Sequence, residues 1–260
     1  MTRVISGVLL AAAASAAILF LPFIGLRALA CVVAGLAADE YLRVTGGRRS
    51  TSQWAVLVAV VYVCWWAAVP APVSIVILAM VVLAWLAVGL LYENRTIQEA
   101  AADLVAPVYI GAPLGMLVAL HVLTGWRGTL LLIGTIVVSD SAQYYAGRAF
   151  GRQPLAPTIS PKKTVEGAIG GLVVGTLFMI LVSALVFRAT PFIVRALLGV
   201  VVVVAGICGD LFESRLKRVA GMKDSSARIP GHGGALDRID ALLFAVPVFY
   251  FMVLREVGGP

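Results

Sequence analysis

Apolar runs of about 20 residues, the length a helix needs to cross a bilayer, recur from one end of the chain to the other. They predict about nine helices: 4–22, 24–43, 54–70, 72–92, 105–123, 127–147, 165–187, 192–213 and 235–254. The first run follows Arg3 and is rich in alanine, as a signal peptide would be. No A-x-A-like site leads into a polar segment, however, and the next run begins almost at once, so it is read as a helix. No repeat, low-complexity tract or linker divides the chain. The expected fold class is all-α: a polytopic integral membrane bundle in one integrated membrane domain.

Composition agrees. The chain is 61% hydrophobic and only 13% charged, with a mean hydropathy of +1.02, far from a soluble globular domain. Cys31, Cys64 and Cys208 all fall within predicted spans, are odd in number and lack C-x-x-C spacing. They read as small packing residues, with no disulfide framework or zinc site.

Charge then sets the orientation. With the N-terminus inside, the inner segments 1–3, 43–53, 93–104, 147–164 and 214–238 take every Lys and Arg except Arg27, Arg127, Arg188, Arg195 and Arg255. That asymmetry follows the positive-inside rule and places the C-terminus outside. The net charge of +7 thus reflects topology and anionic partners at the cytoplasmic face. It does not point to nucleic acid, since no soluble basic domain is present to hold it. Arginine outnumbers lysine 16 to 4, a compositional hint of a bacterial, GC-rich source and hence of an inner (plasma) membrane.

Polar residues are unevenly spread. Residues 1–125 hold few within their spans and read as N-terminal scaffold helices. Asp39, Glu40 and Arg43 are taken there as a surface charge cluster at helical spacing, and Trp65 and Trp66 as interfacial belt residues. Residues 126–260 read as the catalytic region, with cytoplasmic loops 147–164 and 214–238.

Three patches carry the chemistry. Asp140 lies in an apolar span, where a carboxylate needs a partner, a metal or water; Gln143 and Tyr144 beside it can donate hydrogen bonds to a head group. In the run Ser160-Pro161-Lys162-Lys163-Thr164-Val165-Glu166-Gly167, Thr164 can cap the next helix, placing Lys162 and Lys163 at an anion-favouring N-terminus. The third patch joins Asp210, Glu213, Ser214 and Lys217, one face of a helix, to Lys223, Asp224, Arg228, the turn Gly231-His232-Gly233-Gly234, and Asp237, Arg238 and Asp240. Cationic side chains and glycine backbone suit phosphate, and adjacent carboxylates suit the divalent metal that accompanies it. The loop is too rich in glycine, serine and charge to be buried.

The run S-x-L-K-R-x4-K-D-x-S-x2-I-P-x-H-G-G-x-L-D-R-x-D from Ser214 closely resembles the signature of phosphatidate cytidylyltransferases, the CDP-diacylglycerol synthases. D-x-x-x-Y-x-x-G-x-x-x-G from Asp140 and S-P-K-K-T-x-E-G from Ser160 resemble two further stretches of that family, in the expected order. The likeness covers roughly residues 135–250. Gln143 departs from it where a small residue is expected, and Ala235 where a larger aliphatic is usual.

The resemblance implies a nine-helix membrane enzyme, active at the cytoplasmic face, that makes CDP-diacylglycerol and pyrophosphate from CTP and phosphatidic acid. It implies metal ligation by Asp210 and Asp237, with Mg2+ alone or beside a second metal or a monovalent cation, and a homodimer in the bilayer. Lys217, Arg218, Lys223 and Arg238 then suit the catalytic role of steadying phosphoryl oxygens and the leaving group. Asp140, Tyr144, Ser160, Lys162, Lys163, Ser214, Asp224, His232, Gly233, Gly234 and Asp240 suit substrate binding. No general base is needed, because the attacking phosphate is already ionised.

Three other classes remain open on the residues alone. A lipid kinase would share a basic, metal-binding face but release CDP. A CDP-alcohol phosphotransferase should show D-x-x-x-D spacing, which neither Asp210 nor Asp237 has. A transporter should spread polar groups at mid-membrane over both halves.

Overall fold

The computed structural model describes residues 2–46, 51–68, 97–222, 225–226 and 233–257. The predicted span 72–92 lies outside the described residues. The chain forms α1 (Thr2–Phe20), α2 (Phe23–Gly46), α3 (Thr51–Ala67), α4 (Ile97–Ala106), a π-helical turn (Pro107–Gly111), α5 (Ala112–Phe150), β1 (Pro154–Ala156), β2 (Ser160–Thr164), α6 (Val165–Val186), α7 (Phe192–Val219) and α8 (Leu236–Val257). Apart from the short hairpin, it is all-α as expected. Among the described residues, three helical stretches are long and apolar enough to cross a membrane: Ala101–Phe150, Val165–Val186 and Phe192–Val219.

Two compact units divide the chain: Met1–Val122 with Ala220–Arg238, and Leu123–Val219 with Ile239–Pro260. In the first, α2 packs on α3, and α3 on the π-helical turn. Small side chains make this possible. Ala34, Ala37 and Ala38 are fully buried on α2. At Gly111 and Gly115 a Cβ would stand 2.6 Å from the Val60 carbonyl oxygen and 2.5 Å from that of Cys64. Without a hydrophobic drive inside lipid, such close backbone approach is what holds helices together. Trp65 is more than a belt residue: the Arg27 guanidinium stacks 3.8 Å over its ring and donates from Nε to its carbonyl at 2.8 Å.

The spans predicted at 105–123 and 127–147 are not separated by a loop. They join as α5, helical on both sides of Gly125, whose φ of 67° breaks the run. Glycine takes this positive-φ conformation freely, and the non-helical residue falls between the two predicted spans.

The second unit is built on glycine stripes. Gly167, Gly171 and Gly175 are buried at four-residue spacing along α6, with Met179 and Ser183 continuing the line. The opposite face of α6 exposes Ile169, Val173, Leu177, Leu181 and Leu185, the apolar surface a helix presents to hydrocarbon. α6 packs on α7, where Gly199 abuts Thr176 and Met179. Further along α7, a Cβ at Gly209 would lie 2.5 Å from the Asp240 carbonyl oxygen of α8. Gly209→Ala should therefore force these two helices apart and cost about 1–3 kcal/mol, seen as a lowered unfolding temperature of the purified protein in detergent.

Candidate active site

The loop predicted at 147–164 contains the hairpin β1–β2, with Pro154 opposite Thr164 and Ala156 opposite Ser160. Thr164 ends it as the N-cap of α6, its hydroxyl accepting from the Gly167 amide at 3.1 Å, as the spacing predicts. Glu166 reaches back, and its Oε2 accepts from the amides of Arg152 at 3.0 Å and Gln153 at 3.3 Å. Gly147 and Gly151 give Thr164 its place. A Cβ on Gly147 would meet the Thr164 hydroxyl at 2.9 Å, and one on Gly151 the Thr164 methyl at 2.8 Å. At the far end of the hairpin, Arg218 Nε of α7 donates to the Ile159 carbonyl at 3.2 Å. The two glycines and the Thr-x-Glu-Gly run are one device that sets β2 against α5.

That device presents Lys162 and Lys163 to a cavity of about 550 Å3. α5 lines it with Asp140, Gln143, Tyr144, Gly147 and Arg148, β2 with Lys162, Lys163 and Thr164, α6 with Gly167 and Ala168, and α7 with Asp210. Lys163 Nζ forms an ion pair with Asp210 Oδ2, while Ser214 Oγ donates to Asp210 Oδ1 at 3.3 Å. Gln143 Nε2 donates to Asp140 Oδ1 at 3.0 Å. The residue that departs from the family pattern thus supplies a partner for the aspartate in the span. Asp140 of α5 and Asp210 of α7 line the same cavity, while Asp240 of α8 is not among its lining residues and its Oδ1 accepts from the Ala241 amide at 2.7 Å.

Other expected site residues lie differently. Tyr144 is largely exposed, its hydroxyl accepting from Arg148 Nη1 at 3.4 Å. Ser160 opens β2 and is not among the cavity's lining residues. Lys217 pairs with Glu213 on its own helix, Nζ to Oε2 at 2.5 Å, and Glu213 is almost fully buried. Lys217 also acts on Asp240. Lys223, Asp224 and His232 lie outside the described residues.

In the first unit the signature segment is organised by carboxylates. Asp237 Oδ2, in the first turn of α8, accepts from the Ser225 amide at 3.1 Å, the Ser225 hydroxyl at 2.9 Å and the Gly234 amide at 2.7 Å. Arg238 is exposed. The loop is not wholly solvated as expected: Ser225, Gly234 and Leu236 are buried. The surface cluster read around residue 40 is half right. Asp39 and Arg43 pair at 2.8 Å, but Glu40 has no exposure. It accepts instead from Ser226 Oγ at 2.7 Å and the Leu236 amide at 2.8 Å, with Ser225 Oγ, whose single hydrogen it shares with Asp237, at 3.1 Å. Nothing local in the sequence signals this, because the donors lie 185 to 196 positions away.

The Cytidylyltransferase family profile matches residues 1–255. The chain belongs to that family. Among similar proteins, a "Phosphatidate cytidylyltransferase" of Bacillus subtilis is 35% identical over 166 residues, covering 63% of this chain and 62% of the relative. Proteins of the same name are 44% identical in Haemophilus influenzae over 147 residues (50% and 48%) and in Aquifex aeolicus over 126 residues (48% and 46%). The matched stretches thus span about half to three-fifths of these curated relatives.

For this cytidylyltransferase-family chain, Thr164→Ala should remove the α6 cap and cost about 1 kcal/mol. Thermal unfolding of the purified variant measures that loss. Thr164→Ser, which keeps the hydroxyl, should recover most of it.

Proposed function

We propose that this chain is a phosphatidate cytidylyltransferase, transferring CMP from CTP to phosphatidic acid and releasing pyrophosphate. The observation that carries the reading is the Lys163–Asp210 pair, a mobile cation beside a carboxylate in a cavity at one end of apolar helices. The names of its relatives agree. A phosphatidate oxygen attacks the α-phosphorus of CTP, forming one P–O bond. The bond from that phosphorus to the bridging oxygen breaks, and its electrons leave with pyrophosphate. Both reactants are anionic, so their repulsion is the main obstacle. Lys162 and Lys163 reduce it by neutralising phosphate oxygens, and the hairpin fixes where they stand. Such preorganised charge is often the largest contribution to catalysis, and orientation of an already ionised nucleophile supplies much of the rest.

A divalent metal fits the donor chemistry. Among the described residues no three Asp, Glu, His or Cys side chains are grouped to hold an ion by themselves. Mg2+ needs no such group, since it binds through one or two carboxylates together with substrate phosphates. Asp210 is the first candidate ligand, with Asp140 lining the same cavity; Asp237 is a ligand by family resemblance. When bound, Mg2+ would neutralise the triphosphate and the departing pyrophosphate. The cytoplasmic placement rests on the count of Lys and Arg across predicted segments, the inner membrane on the bacterial relatives, and the homodimer on the resemblance.

The test is product analysis with purified protein in mixed micelles, given phosphatidic acid, α-labelled CTP and Mg2+. Labelled CDP-diacylglycerol with equal pyrophosphate is expected. Lys163→Ala should lower kcat by roughly 100-fold or more, and Asp210→Asn should abolish most turnover. Chelation should stop the reaction and Mg2+ restore it. Release of CDP without labelled lipid would replace this reading with phosphoryl transfer, and absence of turnover with any lipid phosphate would overturn it.

A further inference from the structure

We propose that Glu40 is a positioning residue, a buried carboxylate on α2 that holds the signature segment and, through Ser225, the head of α8 in its working arrangement. The inference deepens the cytidylyltransferase reading and rests on it for its link to catalysis. Glu40 lies among Ala37, Ala38, Tyr41 and Leu42, all buried. A carboxylate in such surroundings persists only where donors replace water. Ser226 Oγ meets Oε1, and Ser225 Oγ and the Leu236 amide meet Oε2. Ser226 and the Leu236 amide donate at 2.7 and 2.8 Å, and Ser225, whose one hydrogen is shared between Glu40 and Asp237, lies at 3.1 Å. A cation at Oε2 would have to displace the Leu236 N–H. Glu40 therefore orders the chain and does not compete for the metal.

Two further observations tie this clamp to the motif. Ser225 touches both carboxylates: its Oγ is 3.1 Å from Glu40 Oε2 and 2.9 Å from Asp237 Oδ2. The double glycine is explained by the same pair. A Cβ on Gly234 would lie 2.3 Å from Glu40 Oε2, and one on Gly233 would lie 2.6 Å from Asp237 Oδ2. Gly233 also has a φ of +78°, where side chains are strained. The Gly-Gly step expected to cradle phosphate makes room for two protein carboxylates, and Glu40 is the one that no local reading of the signature contains.

The experiment is Glu40→Gln in the full chain in lipid–detergent micelles, read by hydrogen–deuterium exchange across residues 220–238 and by steady-state kinetics with CTP and phosphatidic acid. Gln keeps the shape but turns one acceptor oxygen into a donor, so a residue that merely fills space would tolerate it. Expected are faster exchange in the peptides carrying Ser225 and Leu236, and a kcat/KM for CTP lower by roughly 10- to 100-fold, as for other supporting residues. Glu40→Asp should recover part of both. Asp39→Asn, beside it but paired to Arg43, should change neither. If Glu40→Gln does not fold, Ser226→Ala, which removes only the donor to Oε1, should still speed exchange in the same peptides. Unchanged exchange in whichever variant folds, or faster exchange with an unchanged rate, overturns the proposal. If the wild-type chain makes no CDP-diacylglycerol, the proposed reaction falls, while exchange still decides whether Glu40 holds the segment.

Discussion

A carboxylate on an apolar helix must be met by a donor or a cation, or it does not remain there ionised. The chain answers this constraint in two ways, and they separate chemistry from support. Asp210 is met by Lys163, a point charge on a long flexible stem. Glu40 is met by serine hydroxyls and a backbone amide. Those donors are fixed by the fold and are not for exchange with substrate. Asp237 resembles Glu40 at one oxygen only: its Oδ2 takes the Ser225 and Gly234 amides and lies 2.9 Å from the Ser225 hydroxyl.

Close backbone approach is the second condition. Lipid gives helices no hydrophobic reason to associate, so small residues must let them touch. Gly167, Gly171 and Gly175 do this along α6. The same close approach positions the hairpin that lines the cavity. Gly147 and Gly151 admit Thr164, Thr164 caps α6, and Glu166 ties back the chain before the hairpin. Lys162 and Lys163 are carried on a strand whose position is thus set by glycines on another helix. Packing residues and site residues share one motif because the first kind creates the space that the second occupies.

Much of this was legible in the chain. Long apolar runs show wherever they occur, and the cap at Thr164 needs only three residues of context. The family likeness rests on Ser160–Gly167 and the long run from Ser214. What escaped is what depends on distance or on a single torsion. Glu40 lies three residues before Arg43 and reads locally as one of its charge partners; in the fold that role belongs to Asp39. Gly125 is a break between the predicted spans, and in the fold that break is a single non-helical residue with helix on either side. The prolines of 147–164 suggest loop, and the hairpin is visible only once Thr164 has its glycine seat on α5.

Lys217 shows that charge type alone does not separate a role toward substrate from a role in the fold. Four positions after Glu213 and in a segment rich in cations, it looks like a phosphate ligand. Glu213 is nearly inaccessible, however, and its carboxylate needs a counter-charge that Lys217 supplies at 2.5 Å. Removing one member of a buried pair leaves an uncompensated charge, a cost of about 3–5 kcal/mol, so loss of activity at Lys217 would not by itself reveal contact with substrate. Lys163 differs because its partner Asp210 lines the cavity and accepts a second bond from Ser214. Its two oxygens are divided between these partners, Oδ2 to Lys163 and Oδ1 to Ser214. The two lysines therefore differ in what their loss exposes: a partly exposed carboxylate that keeps a serine donor at Asp210, and a buried one at Glu213.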